Sequence, residues 1–182
     1  ANLGNVSNFI LEKKNCTIIA FEPNELCYQI LNRRFTDDKR IQIFNFAISN
    51  FSGISNLYLH KKSKGISDPS YMESSSIIKY KDNVSENNFS KINVMNITNI
   101  LSKFKKIDLI KIDVEGSEYE IIPVLIQNKS KIRSVLCELH GNPNKRTDTN
   151  SVKNKEFTLQ YEKLIKLLKE KKLYNNWFYE WY

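Results

Sequence analysis

The chain has no apolar run near the roughly 20 residues that a membrane span needs. Its first residues carry no basic region followed by an apolar stretch, the pattern of a secretory leader. Neither a spanning helix nor a leader is therefore expected. Cysteine is sparse: Cys16, Cys27 and Cys137 are odd in number, scattered, and show no C-x-x-C spacing. That excludes a disulfide framework and a cysteine zinc site, and it points to the reducing cytoplasm. No His/Asp cluster stands at metal-ligand spacing, so no metal is expected. The visible start carries no G-x-G-x-x-G, and no Asn/Asp-Pro-Pro-aromatic motif of amino-methylating enzymes occurs. No internal repeat is evident.

What is present is a folding composition. Over 182 residues, 41% are hydrophobic and 12% aromatic, enough for one domain that buries about 70% of its unfolded surface. The formal charge of +8 invites a nucleic-acid partner. The excess is mostly Lys, spread along a chain also crowded with Asn and Ile. A phosphate-binding surface more often uses Arg clusters and stacking aromatics. Nucleic acid is therefore not the expected partner.

Hydrophobic periodicity alternates between helix and strand. Residues 6–14 read as a helix, 17–21 as a short apolar strand ending at Glu22-Pro23, and 25–35 as a helix capped by Asn24. Strands follow at 41–46 and 55–60. Residues 61–90 are rich in Ser, Lys and Asn and read as a long loop, expected over the carboxyl edge of the sheet as part of an acceptor pocket. A strand at 92–95, a helix at 97–104, a strand at 107–112 and a helix at 118–127 come next. Pro123 is tolerable in that helix because it lies in the first turns. A strand at 134–139, a polar loop at 141–153, an amphipathic helix at 155–172 and a terminal strand at 173–182 complete the order. The alternation implies an α/β fold, a mostly parallel sheet with helices on both faces.

In such a sheet, ligands bind outside the carboxyl ends of the strands. Four places there carry suggestive groups. Small residues, Asn2 and Gly4, lead into the first helix and could bring a cofactor to exposed backbone N–H groups. Glu22, at the end of the second strand of the expected fold, could take both ribose hydroxyls, or it could be a surface residue at a Pro stop. Asp113 ends a buried apolar strand before Glu115, Gly116 and a helix; it is a site residue or a helix cap. Glu138 and His140 alternate onto one side and could orient an acceptor hydroxyl and take its proton. A structural role for His140 is the alternative. Glu22 would also suit an NAD-dependent oxidoreductase, and a non-catalytic nucleotide-binding or interaction module is a third reading.

Taken together, Ala1-Asn2-Leu3-Gly4-Asn5, Ala20-Phe21-Glu22-Pro23, Asn45-Phe46-Ala47-Ile48-Ser49, Lys111-Ile112-Asp113-Val114-Glu115-Gly116-Ser117-Glu118 and Glu138-Leu139-His140 resemble the FkbM-type methyltransferases. The resemblance spans residues 1 to about 141. It implies a class I, Rossmann-like fold in a single domain, S-adenosylmethionine as cofactor, and O-methylation of a small-molecule or glycan hydroxyl. By the same resemblance, Asn2 and Gly4 line the loop beside the methionine moiety, Glu22 holds the ribose, and Ala47 with its neighbouring backbone borders the adenine. Asp113 faces the methionine end and the reaction centre, with Glu138 and His140 on the acceptor side. Asp113, Glu138 and His140 are then the candidate bases. The family's central first strand and the acidic-Gly half of its loop, which precede Ala-Asn, are expected to be missing from this chain.

Overall fold

A computed structural model describes residues 1–64, 75–79, 81, 83–143 and 152–181. The chain divides into two compact units. One holds Ala1–Lys79 and Asn83–Met95, the other Tyr80–Asp82 and Asn96–Tyr182.

The first unit opens on α1 (Asn5–Lys13), β1 (Ile18–Phe21), α2 (Glu25–Arg34) and β2 (Ile41–Phe44). β1 and β2 pair in parallel, with Ile18 opposite Ile41 and Phe21 opposite Phe44. The Asn24 side chain caps α2 by accepting from Leu26 N and Cys27 N at 3.0 and 3.2 Å, which satisfies two of the helix's unpaired amides. Glu25 in its first turn and Arg33 and Arg34 in its last complement the helix dipole. Leu11, Ala20, Leu31, Phe35 and Ile41 form the core between these elements.

β3 (Ala47–Ser49), β4 (Gly53–His60) and β5 (Val84–Asn96) form a second sheet in the order β3-β5-β4. β4 and β5 run antiparallel, with an irregularity between Tyr58 and His60. Ala47, Leu57, Leu59, Ile92 and Val94 make their core. Here the structure departs from the sequence reading: residues 84–90, expected as loop, are strand. Their Ser, Glu and Asn carry no strand preference of their own. Pairing with β4 supplies the backbone hydrogen bonds, and the polar side chains are mostly left to solvent. The antiparallel pairing also makes the fold a mixed α/β one. The expected placement of the 61–90 loop falls partly on residues 65–74, 80 and 82, outside the described residues.

The second unit contains α3 (Ile97–Leu101), β6 (Ile110–Ile112), α4 (Glu118–Gln127), β7 (Val135–Cys137), α5 (Val152–Glu170) and β8 (Phe178–Glu180). β6, β7 and β8 form a parallel sheet in that order, with Ile112, Cys137 and Glu180 level with one another. β6 is shorter than the expected 107–112. Ile107 makes only an isolated bridge to Ile132, and Leu109 lies exposed at 44%. Ile121, Ile122 and Leu125 bury one face of α4, while Pro123 is exposed. Phe157, Leu164 and Leu168 are the buried residues of α5. The Trp177 indole donates to Ile132 O at 2.7 Å, tying the segment before β8 to that before β7. Among the described residues no helix is long and apolar enough to cross a membrane.

Candidate active site

At the end of β6 the chain passes through Asp113 and Val114 into a turn. Glu115 sits there at φ 56° and Gly116 at φ 115°. Two successive left-handed residues, the first of them not glycine, are an uncommon and costly conformation. They reverse the chain so that α4 begins three residues after Glu115. Glu118 is the first residue of that helix and is 0% exposed. A carboxylate in a first helical turn is favoured by the N–H groups that point at it.

His140 arrives from β7. Cys137 and Leu139 turn into the core, so the alternation of the extended chain puts Glu138 and His140 on the other side. The imidazole is gripped at both nitrogens. Nδ1 lies 2.5 Å from Glu118 Oε1 and Nε2 lies 3.2 Å from Glu115 Oε2. The Tyr119 hydroxyl donates to the His140 backbone carbonyl. Lys81, only 6% exposed, pairs with the same Glu115 oxygen from the segment before β5. At Gly141 (φ 106°) a Cβ would come within 2.5 Å of the Phe157 carbonyl. That close approach holds the backbone just after His140 against α5.

Burial, and then the Glu118 charge, push the Tyr119 hydroxyl well above its ordinary value of 10.0. It therefore stays protonated and remains a donor. Burial followed by the same charge raises the Cys137 thiol above 9.0, which keeps it neutral and unreactive as a nucleophile. Glu118 Oε2 and Ser117 Oγ are buried without a hydrogen-bond partner among the described residues.

Asp113, expected beside His140, is joined instead to Lys111 Nζ at 3.1 Å and is 35% exposed at its side chain. The same ammonium stands 4.3 Å from the centre of the Trp181 ring. Glu138 N bonds to Ile112 O at 3.0 Å, so Asp113 and Glu138 sit one step beyond the last paired residues of two adjacent parallel strands. Among the described residues no hydrogen bond joins either side chain to His140. Of the three residues expected to act together, the cluster holds only His140. Its partners Glu115 and Glu118 lay in the Lys-Ile-Asp-Val-Glu-Gly-Ser-Glu segment, but nothing in the sequence marked Glu118 as facing a histidine. Lys81 stood in a polar stretch with no signal at all.

In the first unit, Glu22 follows β1 and is 7% exposed. Its Oε2 accepts from Asn2 N at 2.6 Å and from the Ala1 amino group at 3.0 Å, and its Oε1 accepts from Asn24 N at 2.9 Å. A carboxylate offers about four acceptor positions, so three donors fix its plane and leave capacity for more. Gly4 (φ 81°) is needed by packing: a Cβ there would come within 2.4 Å of Leu31 Cδ1 and 2.7 Å of Phe35. Ala47 turns its side chain into the β3–β5 core, so only its backbone could border a ligand.

The family model described as "Methyltransferase FkbM domain" matches residues 1–172. No curated protein and no solved structure matches the chain.

Proposed function

We propose that this chain, which belongs to the FkbM methyltransferase family, moves a methyl group from S-adenosylmethionine to a hydroxyl oxygen of a small-molecule or glycan acceptor. Family membership makes it a methyltransferase; the cofactor, the oxygen acceptor and a single class I, Rossmann-like domain over residues 1–182 are the finer reading. When bound, S-adenosylmethionine supplies a methyl group on a positively charged sulfur that departs as a neutral thioether.

One residue supports the reading of such a cofactor. Glu22 is an acceptor-only side chain, immobilised by three N–H donors after a parallel strand, which leaves about one acceptor position for a ribose hydroxyl. Asn2 and Gly4 would contribute the adjacent loop, Ala47 its backbone, and Asp113 a contact at the methionine end.

The observation that carries the proposal is the double grip on His140. A hydroxyl is a poor nucleophile at neutral pH, and a positioned base adds about 10²–10⁴-fold. With Nδ1–H directed at Glu118, Nε2 carries the lone pair that takes the hydroxyl proton. The new Nε2–H then has Glu115 as its acceptor, so both nitrogens of the charged ring are satisfied. Glu138 and Asp113 flank this point and would orient the acceptor.

The test is transfer of labelled methyl from S-adenosylmethionine to a panel of hydroxylated acceptors. His140→Ala should lower turnover about 10²–10⁴-fold while calorimetry shows the cofactor binding as before. Full turnover in that variant would remove His140 from the base role. Binding of NAD in place of S-adenosylmethionine would overturn the cofactor assignment.

A further inference from the structure

Lys81 is an unusual residue to find buried, since lysine is rarely enclosed without a partner. Its partner is Glu115 Oε2, the oxygen that also faces His140 Nε2. The four side chains thus form a row of alternating charge: Lys81, Glu115, the His140 imidazole and Glu118. Tyr119 adds only a neutral hydroxyl, on the His140 carbonyl.

This row has a consequence for the proposed base. Two carboxylates facing one imidazole favour its charged form, and a permanently charged ring cannot take a proton. A cation on one of those carboxylates offsets it. We infer that Lys81 is a positioning residue that neutralises Glu115, leaving His140 with one effective carboxylate and free to cycle its proton. This rests on the reading of His140 as the base, but the charge balance itself can be measured without any turnover.

The geometry supports a fixed cation here. One oxygen of Glu115 faces both the Lys81 ammonium and the His140 imidazole. The ammonium is more buried than that carboxylate, with 7% of its side chain exposed against 21%. Solvent therefore screens the pair weakly. Lys81 is delivered by the chain just before β5, so a segment with no helix or strand pattern supplies a charge to the turn after β6.

The experiment is titration of the imidazoles by NMR in the purified protein without cofactor. The chain has two histidines, and a His60→Gln background leaves His140 alone. Lys81→Met should raise the His140 midpoint by about one unit or more, as loss of an opposing charge does. Lys81→Arg should keep it near the wild-type value. Lys81→Met combined with Glu115→Gln removes one charge of each sign and should return the midpoint most of the way. Lys81→Gln serves in place of Lys81→Met if the latter fails to fold, as judged by circular dichroism.

An unmoved midpoint in a folded Lys81→Met or Lys81→Gln protein would overturn the inference. So would an equal shift in Lys81→Arg, because that would make the shape of lysine, and not its charge, the cause. Once an acceptor is found, the acidic limb of the kcat profile of Lys81→Met should move to higher pH by the same interval. Failure to find any acceptor would count against the proposed reaction, while the titration would still decide the role of Lys81.

Discussion

Glu22 and Glu118 are the two buried carboxylates among the described residues, one in each unit, and their surroundings differ. Glu22 is served by main-chain N–H groups: Asn24 N two residues on, and Asn2 N and the Ala1 amino group from 20 and 21 residues away. Glu118 is met by one side chain, His140, which comes from 22 residues along the sequence, and its Oε2 has no partner among the described residues. A carboxylate held by main-chain N–H groups is a fixed acceptor. A carboxylate whose burial depends on a titrating partner is coupled to that partner's proton. The first arrangement suits holding a ligand, the second suits moving a proton.

The largest effect should come from breaking the second pair. His140→Ala leaves Glu118 buried without its hydrogen-bond partner, and stranding a buried charged acceptor costs more than the about 1–3 kcal/mol of a neutral group. Urea unfolding should show this loss, and Glu118→Gln in the same background should recover part of it. Additive losses in the double variant would show that the two side chains do not act as a pair.

Glu22→Ala should cost less, about 1–3 kcal/mol, because two of the three donors it strands, Asn2 N and Asn24 N, are neutral amides. The same change should weaken S-adenosylmethionine binding measured by calorimetry. Unchanged affinity would strip Glu22 of the ribose role and reduce it to a tie between Asn2 and Asn24.

A smaller effect concerns alkaline pH. Tyr119 and Cys137, both beside Glu118, have pKa values raised in the folded state, by burial first. The folded chain keeps protons that the unfolded chain releases. Their contribution is complete below the ordinary values of 9.0 and 10.0, and stability falls as pH rises past them. Each group adds a slope of about 1.4 kcal/mol per pH unit. Melting curves between neutral and strongly alkaline pH should steepen there, and Tyr119→Phe should flatten them. A Tyr119→Phe profile that overlays the wild type would mean the hydroxyl is solvated in the fold.

The smallest effect belongs to a surface pair in the first unit, with 45% of the Arg40 side chain and 26% of the Asp38 side chain exposed. Arg40 hydrogen-bonds the Asp38 carboxylate and holds it below its ordinary range. The sign favours folding above that range and is lost as pH falls. Exposed pairs are screened by solvent, so Asp38→Asn should leave the melting temperature unchanged within error.

Much of the scaffold was legible. Asn24 before an apolar periodic run announced α2 and its cap, because the cap is a contact between near neighbours. The continuous apolar stretch before Asp113 announced β6, and the spacing of Glu138 and His140 put them on one side of β7. β5 was not legible over residues 84–90. Its polar residues become strand only because β4 lies beside them, and pairing between segments leaves no trace in local composition. The same reason hid the grouping around His140. Asp113 looked like its companion from strand order, but the left-handed turn at Glu115 and Gly116 brings Glu115 and Glu118 to the imidazole, while Lys111 holds Asp113.

The sequence by itself determined the family, the alternation of helices and strands, the placing of acidic residues after strands, and the presence of a histidine after β7. Those properties are periodic or local, and a chain of 182 residues records them residue by residue. Tertiary structure decided which charges meet. The contacts of His140 with Glu118 and of Lys81 with Glu115 join residues 22 and 34 positions apart. Such pairs form only where packing has removed water, and no single segment carries the information about where that will be.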